Sequence, residues 1–140
     1  MSNRIICFGE LLLRLSAPHK ELLLQRPEVA MHVGGAEANV AVSMSLLGHD
    51  TAVISAVPNN ALGRACLGAL RQHGVDVSRV KQSTGEMGLY FLTQGAVHRP
   101  SEVLYQRSHS VFAALPANTY DWDALLKDAE WLHFHSVAGN

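Results

Sequence analysis

An α/β fold, with helices covering a parallel sheet, is predicted by three features of these 140 residues. Apolar, β-branched runs alternate with stretches of good helix formers. The order strand, helix, strand, helix holds through the first half, with turn residues between. Apolar residues make up 48% and charged residues 16%, a balance that suits one domain with a real core and argues against disorder.

Each element follows from local chemistry. Arg4 to Phe8 is a short apolar run ended by Gly9, which predicts a strand buried on both faces. The apolar stretch at Leu11 to Leu15 comes next, and Pro18 and Pro27 bracket a loop. Val29 to Val33 reads as a short strand leading into Gly34-Gly35. Ala36 to Leu47 is helical, with Gly48 as its stop. Thr51 to Val57 predicts a second buried strand, closed by Pro58-Asn59-Asn60. Leu62 to His73 is helical again and stops at Gly74.

The second half has a different pattern. Gly88 to Thr93 and Glu102 to Arg107 are strand-like runs separated by Gln94 to Ser101, a loop holding Gly95 and Pro100. An antiparallel hairpin is the natural reading. Strand alternation puts Tyr90 and Leu92 on one side, and Tyr105 and Arg107 on one side of the partner strand. Trp122 to Ala129 is expected to be a short helix capped by Asp121, and Trp131 to His135 a further strand.

Bulk charge excludes several function classes. The net charge of −1 gives no field favouring nucleic acid or an anionic membrane, although one or two arginines could hold a small anion locally. Cys7 and Cys66 stand far apart in apolar surroundings and read as buried, reduced thiols. The apolar stretch at the start is cut by Gly9 and Glu10, too short for a secretory leader, and no run is long enough to span a bilayer. The cytoplasm is the expected compartment.

The most informative stretch is Val33-Gly34-Gly35-Ala36-Glu37-Ala38-Asn39-Val40-Ala41. Two glycines before a helix let a ligand approach the backbone, and the first helical N–H groups are free to donate. Asn39, one turn in, offers a donor and an acceptor, which suits sugar hydroxyls. Taken alone, the same residues also describe an ordinary glycine turn. A nucleotide-phosphate loop is a weaker reading, since neither G-x-x-x-x-G-K-S/T nor G-x-G-x-x-G occurs.

Gly34-Gly35-x-x-x-Asn39-x-Ala41 followed by Leu46-Leu47-Gly48 resembles the first signature of the pfkB/ribokinase family of carbohydrate kinases. Asn59-Asn60-x-Leu62-Gly63, the Gly74-Val75-Asp76 lead-in to a strand, and Gly9-Glu10 extend the resemblance in the right order. Within the family the likeness is to 2-keto-3-deoxygluconate kinases. It rests on Gly34-Gly35-Ala36-Glu37-Ala38-Asn39, Gly88-Leu89-Tyr90-Phe91, Arg99-Pro100 and Tyr105-x-Arg107-x-x-Ser110. The resemblance implies a ribokinase-like three-layer α/β/α sandwich with a small β-sheet lid. Residues 1–140 are then the N-terminal, substrate-binding part of one such domain, with lid strands within about 11–33 and 86–107.

The same resemblance implies the substrate residues Gly34, Gly35, Asn39, Tyr90, Tyr105 and Arg107, which in such kinases hold the keto acid. Their chemistry agrees, because Arg107 can pair bidentately with a carboxylate and tyrosines offer hydroxyls with a flat face. Read from the residues alone, two tyrosines on a hairpin are equally packing residues, and an arginine beside them a solvated one. The implied partner is a small sugar acid, with a homodimer formed through the lid.

Two departures from the family pattern bear on function. The resemblance implies a Gly-x-Gly-Asp motif carrying the general base, yet the aspartates are Asp50, Asp76, Asp121, Asp123 and Asp128, none in that setting. ATP and Mg2+ would therefore serve the complete enzyme, and this chain alone is expected to be inactive, with no catalytic residue assigned in it. Second, the aspartate that ribokinases place after the first strand is replaced near Arg14, a cation better suited to an acid than to a neutral pentose. The expected activity is ATP-dependent phosphorylation of 2-keto-3-deoxygluconate. Its rivals are a fructokinase or other pfkB sugar kinase, and a non-catalytic sugar-acid-binding fragment. His133-x-His135 would share a strand face, but two candidate ligands without a third read as packed histidines rather than a metal site.

Overall fold

The computed structural model describes residues 3–135. In chain order the strands and helices are β1 (Arg4–Phe8), β2 (Leu12–Ser16), β3 (Ala30–Gly34), α1 (Ala36–Leu46), β4 (Thr51–Pro58), α2 (Ala61–Gln72) and β5 (Val80–Ser83). There follow β6 (Gly88–Thr93), β7 (Glu102–Gln106), the one-turn α3 (Val111–Ala114), α4 (Trp122–Leu126) and β8 (Ala129–Phe134). They form two four-stranded sheets, one ordered β5-β4-β1-β8 and the other β3-β2-β6-β7.

The first sheet is parallel at every pairing, as strands separated by crossover helices must be. Strand β4 lies inside it, and all eight of its residues are buried. Its alternation divides the core. Val53 and Val57 face the same cluster as Cys7, Ala38 and Ala41 of α1, and Cys66, Leu67 and Leu70 of α2. Ala52 and Ile54 join Ile6 and Tyr120 on the opposite face, against Trp122 and Leu125. A side-chain period of two along β1 and β4 thus makes three layers, helices on each face of one sheet.

The helices start and stop where their terminal chemistry directs. Asn60 caps α2, its Oδ1 accepting from the backbone N–H groups of Leu62 and Gly63 at 3.1 Å each. Asp121 caps α4 by accepting from the N–H of Ala124 at 3.3 Å. This last helix is three residues shorter than the sequence suggests, and β8 begins at Ala129 rather than Trp131. The reason lies at Asp128, whose carboxylate meets the Arg79 guanidinium at 2.6 Å and Arg4 at 3.5 Å. Those bonds fix the reversal point there, and the next residue already pairs beside Arg4.

The second sheet mixes two antiparallel pairings with one parallel pairing of β2 and β6. Val33, Leu13 and Leu89 are registered neighbours on β3, β2 and β6. They pack against the main core, which anchors this end of the sheet. Farther out the burial disappears, and every residue of β7 is exposed. No described helix is long and apolar enough to cross a membrane.

Candidate functional site: the tyrosine face of the second sheet

Registered neighbours across a sheet share a face. His32, Arg14, Tyr90 and Tyr105 therefore form one row across all four strands, and Gly34, Leu12 and Gly88 lie in a row on that same face. The Tyr90 and Tyr105 rings are 5.7 Å apart at 38°. Beyond them the Arg107 guanidinium stands 4.6 Å from the centroid of the Tyr105 ring, a cation over an aromatic face.

The tyrosine of β6 reaches back over the sheet. A methyl group added at Gly34 would come within 2.8 Å of the Tyr90 hydroxyl, so glycine there is what lets the ring lie down across β2. Gly35 serves another purpose. It holds φ at +112°, a conformation open to glycine, and a methyl group would stand 2.5 Å from the carbonyl oxygen of Glu10. The close approach at Gly35 is thus to the backbone of Glu10. Gly35 shapes the turn that starts α1.

The structure brings Gly34, Gly35, Tyr90, Tyr105 and Arg107 to one end of the second sheet. Asn39 rises from the same turn, its N–H donating to the Gly35 carbonyl at 3.0 Å. It is exposed on α1, one turn in, and lines a groove of about 520 Å³ between α1, α2 and β3 with Val33, Val42, Leu70 and His73. None of the two tyrosines and Arg107 lines that groove.

Two carboxylates complete the surroundings, and the motif reading gave neither a role. Glu10, just after β1, lies beneath Gly88 and accepts a hydrogen bond from the Ser110 hydroxyl at 2.5 Å. The same hydroxyl oxygen caps α3 by accepting from the N–H of Ala113. Burial pushes the Glu10 carboxyl above its ordinary range, opposed by the Ser110 bond and by the charge of Arg107. Glu37 is buried in the first turn of α1, presses its carboxylate over Gly9, and accepts from the His135 N–H at 3.1 Å. That acidic residue therefore ties α1 to the ends of β1 and β8. The sequence signals for both were motif positions without a role, Gly9-Glu10 after the first strand and Glu37 within the stretch from Gly34 to Asn39.

His133 pairs with Cys7 in the sheet, and His135 follows the end of β8. Among the described residues no group of three His, Cys, Asp or Glu side chains is placed to hold a metal ion.

A parallel core sheet between helices, extended by a four-stranded sheet with two tyrosines and an arginine on one face, defines a ribokinase-like α/β protein. The chain belongs to the pfkB family of carbohydrate kinases, matching the family's profile over residues 2–138. It is 36% identical over 108 residues to a 2-dehydro-3-deoxygalactonokinase of Haloferax volcanii, covering 77% of this chain and 34% of that protein. A 2-dehydro-3-deoxygluconokinase of Thermoproteus tenax is 30% identical, covering 92% of this chain and 40% of its own length. Among solved structures, 2-dehydro-3-deoxygluconokinase of Thermotoga maritima superposes with a TM-score of 0.90 at 39% identity, over 94% of this chain and 40% of that one. Similarity extends to fructokinase-1 of Zea mays, 29% identical over 96% of this chain and 42% of that protein. It also reaches a sugar kinase of Pyrococcus horikoshii solved in complex with ATP, at 30% identity and a TM-score of 0.79, over 93% and 42%. The chain spans about two fifths or less of the length of these relatives.

Proposed function

We propose that this chain is the substrate-binding part of an ATP-dependent kinase for 2-keto-3-deoxygluconate. Gly34, Gly35, Tyr90, Tyr105 and Arg107 would hold the sugar acid, and Asn39 would contribute from the neighbouring groove. The observation that carries the reading is the stack of Arg107 on Tyr105 beside Tyr90. A guanidinium fixed over an aromatic face can receive a carboxylate in a forked pair, while the tyrosines give a sugar hydroxyl partners and a flat surface. The 2-dehydro-3-deoxygluconokinase and galactonokinase relatives support the same substrate class.

Phosphoryl transfer requires a positioned acceptor hydroxyl, a base, and charge stabilisation around the transferred group. Of these the residues here supply the first. The ATP and Mg2+ of such a kinase do not fit the donor set on hand. The sequence has no Gly-x-Gly-Asp, and the described residues have no metal-holding cluster. That pair belongs to the rest of the complete enzyme. The second sheet would act as a lid that closes over the acceptor and keeps water from it.

A homodimer through this lid is part of the reading. Met31, Leu15, Phe91 and Leu104 form a registered row on the face opposite Tyr90, with Met31 and Leu104 about half exposed. Light scattering should report a dimer that Leu104→Glu dissociates.

Titration calorimetry with 2-keto-3-deoxygluconate and with fructose tests the substrate. Tighter binding of the acid supports the reading, and preference for fructose would make the chain part of a fructokinase instead. A coupled assay on the 140 residues should give no turnover above background. Turnover there would mean that the base lies within this chain.

A further inference from the structure

We propose that Arg14 is a second specificity-determining residue of this site, which together with Arg107 selects a carboxylate-bearing sugar over a neutral ketose. The inference rests on the sugar-acid reading above and names a residue that reading does not use. Its first support is position. Arg14 lies between His32 and Tyr90 in the row across the second sheet, on the face that carries both tyrosines and Gly34. Neighbouring strands are about 4.8 Å apart, so Arg14 stands one strand from Tyr90 and two from Tyr105. A side chain of its length covers that span.

The second support is an unmet hydrogen-bonding demand. Arg14 is half-buried, and its Nε is shielded from solvent with no hydrogen-bond partner among the described residues. A guanidinium does not give up its proton, and a buried donor left unpaired is costly. The other half-buried arginines are engaged. Arg4 holds Asp50 and Asp76, and Arg79 holds Asp128 and the Leu125 carbonyl. Arg99 donates to the carbonyls of Lys20 and Gln94 through one terminal nitrogen, although its Nε is unpaired like that of Arg14, and Arg107 stacks on Tyr105. Among the described residues no carboxylate pairs with Arg14. The fold thus holds two cations on the tyrosine face with donor capacity to spare, Arg107 and Arg14. A carboxylate lying over Tyr90 would meet that capacity and would stand between two guanidinium groups.

Calorimetry on the 140-residue chain tests this with two ligands, 2-keto-3-deoxygluconate and fructose, on wild type, Arg14→Gln, Arg14→Lys and Arg107→Ala. Arg14→Gln should weaken the acid roughly tenfold to a hundredfold while fructose changes by less than about threefold. Arg14→Lys, which keeps the charge without the fork, should lose only part of that, and it carries the test if the Gln variant fails to fold. A merely structural Arg14 would shift both ligands by the same factor, and that result overturns the assignment. Unchanged acid binding in Arg14→Gln beside weakened binding in Arg107→Ala overturns Arg14 alone and leaves the sugar-acid site standing. Wild type that binds fructose and not the acid, or neither, overturns both, because every group invoked lies within these residues.

Discussion

The two sheets of this molecule are built to opposite specifications. The parallel sheet is covered on both faces, and β4 contributes no exposed residue. The second sheet is anchored at one end through Leu13, Val33 and Leu89, and by its outer strand β7 it buries nothing. Burial on two faces gives the first sheet the stability of a core. Burial at one end only leaves the outer strands of the second sheet with few packed contacts, as the closing element proposed above would require. Both borrow from the turn between β3 and α1, where Gly34 answers to a side chain and Gly35 to backbone.

The largest expected effect separates the sheets energetically. Leu70 is 2% exposed in the core cluster, and Leu70→Ala should cost about 2–5 kcal/mol by lost burial and the cavity left behind. Leu104 is 48% exposed on β7, and Leu104→Ala should change stability by less than about 0.5 kcal/mol at protein concentrations too low for the dimer. Urea denaturation of both variants checks this. Similar losses would mean that the second sheet belongs to the same cooperative unit.

The next comparison lies within the glycine turn. Gly35→Val meets both a positive φ and the Glu10 carbonyl, so it should destabilise the fold by about 1–3 kcal/mol and abolish sugar-acid binding with it. Gly34→Ala meets the movable end of Tyr90 instead. It should leave the melting temperature nearly unchanged and still weaken binding, by turning the ring. Thermal melts with and without ligand separate the two, because only a variant that still binds is stabilised by ligand. A Gly34→Ala chain that binds like wild type would remove Tyr90 from the site.

The core sheet was legible because its physics is local. An apolar β-branched run such as Thr51 to Val57 has one stable use, and Asn60 announces the helix after it. The hairpin of β6 and β7 was equally readable from Gly95 and Pro100 between two alternating runs. Pairings between distant segments left no such trace. That Arg14 faces Tyr90 depends on the parallel match of β2 with β6, more than seventy residues apart, and no periodicity encodes a register. The same holds for Asp128, whose bonds to Arg4 and Arg79 moved the start of β8, and for Glu10 meeting Ser110. That Asn39 lines the exposed groove instead of the core follows from helix rotation. Ala38 and Ala41 take the buried side of α1, and a residue one step on turns away from it.

Cysteine chemistry gives a third contrast, since both thiols lie in the covered sheet and its helix. Burial pushes Cys7 up to about 11 and Cys66 up to about 12. Neither should react with iodoacetamide at pH 8 while the chain is folded, and both should react in urea. Mass spectrometry of the alkylated chain reads this directly. Fast native labelling of Cys66 would mean that α2 detaches from β4.

The smallest expected effect is a difference in sign with pH. In the core region, burial raises Asp76, but the Ser78 N–H and Arg4 outweigh it and hold the carboxyl below its ordinary value. The Arg79 hydrogen bond does the same for Asp128. A folded value below the unfolded one, about 3.9, means that this stabilisation is full above pH 4 and is lost as pH falls through the folded values. Glu10, at the base of the second sheet, is shifted upward by burial. Its contribution is full below the unfolded value, about 4.3, and is lost as pH rises through the folded one. Melting temperatures from pH 3 to 7 should therefore respond oppositely to two substitutions. Asp76→Asn should flatten the acid limb, by an amount on the order of a few tenths of a kcal/mol once solvent screening of a partly exposed pair is allowed for. Glu10→Gln should leave the acid limb alone and raise stability above about pH 5, because the neutral amide needs no charge beneath Gly88. Flattening of the same limb by both variants would mean that Glu10 is ionised at no cost, and that Arg107 is paired with it rather than free for a substrate.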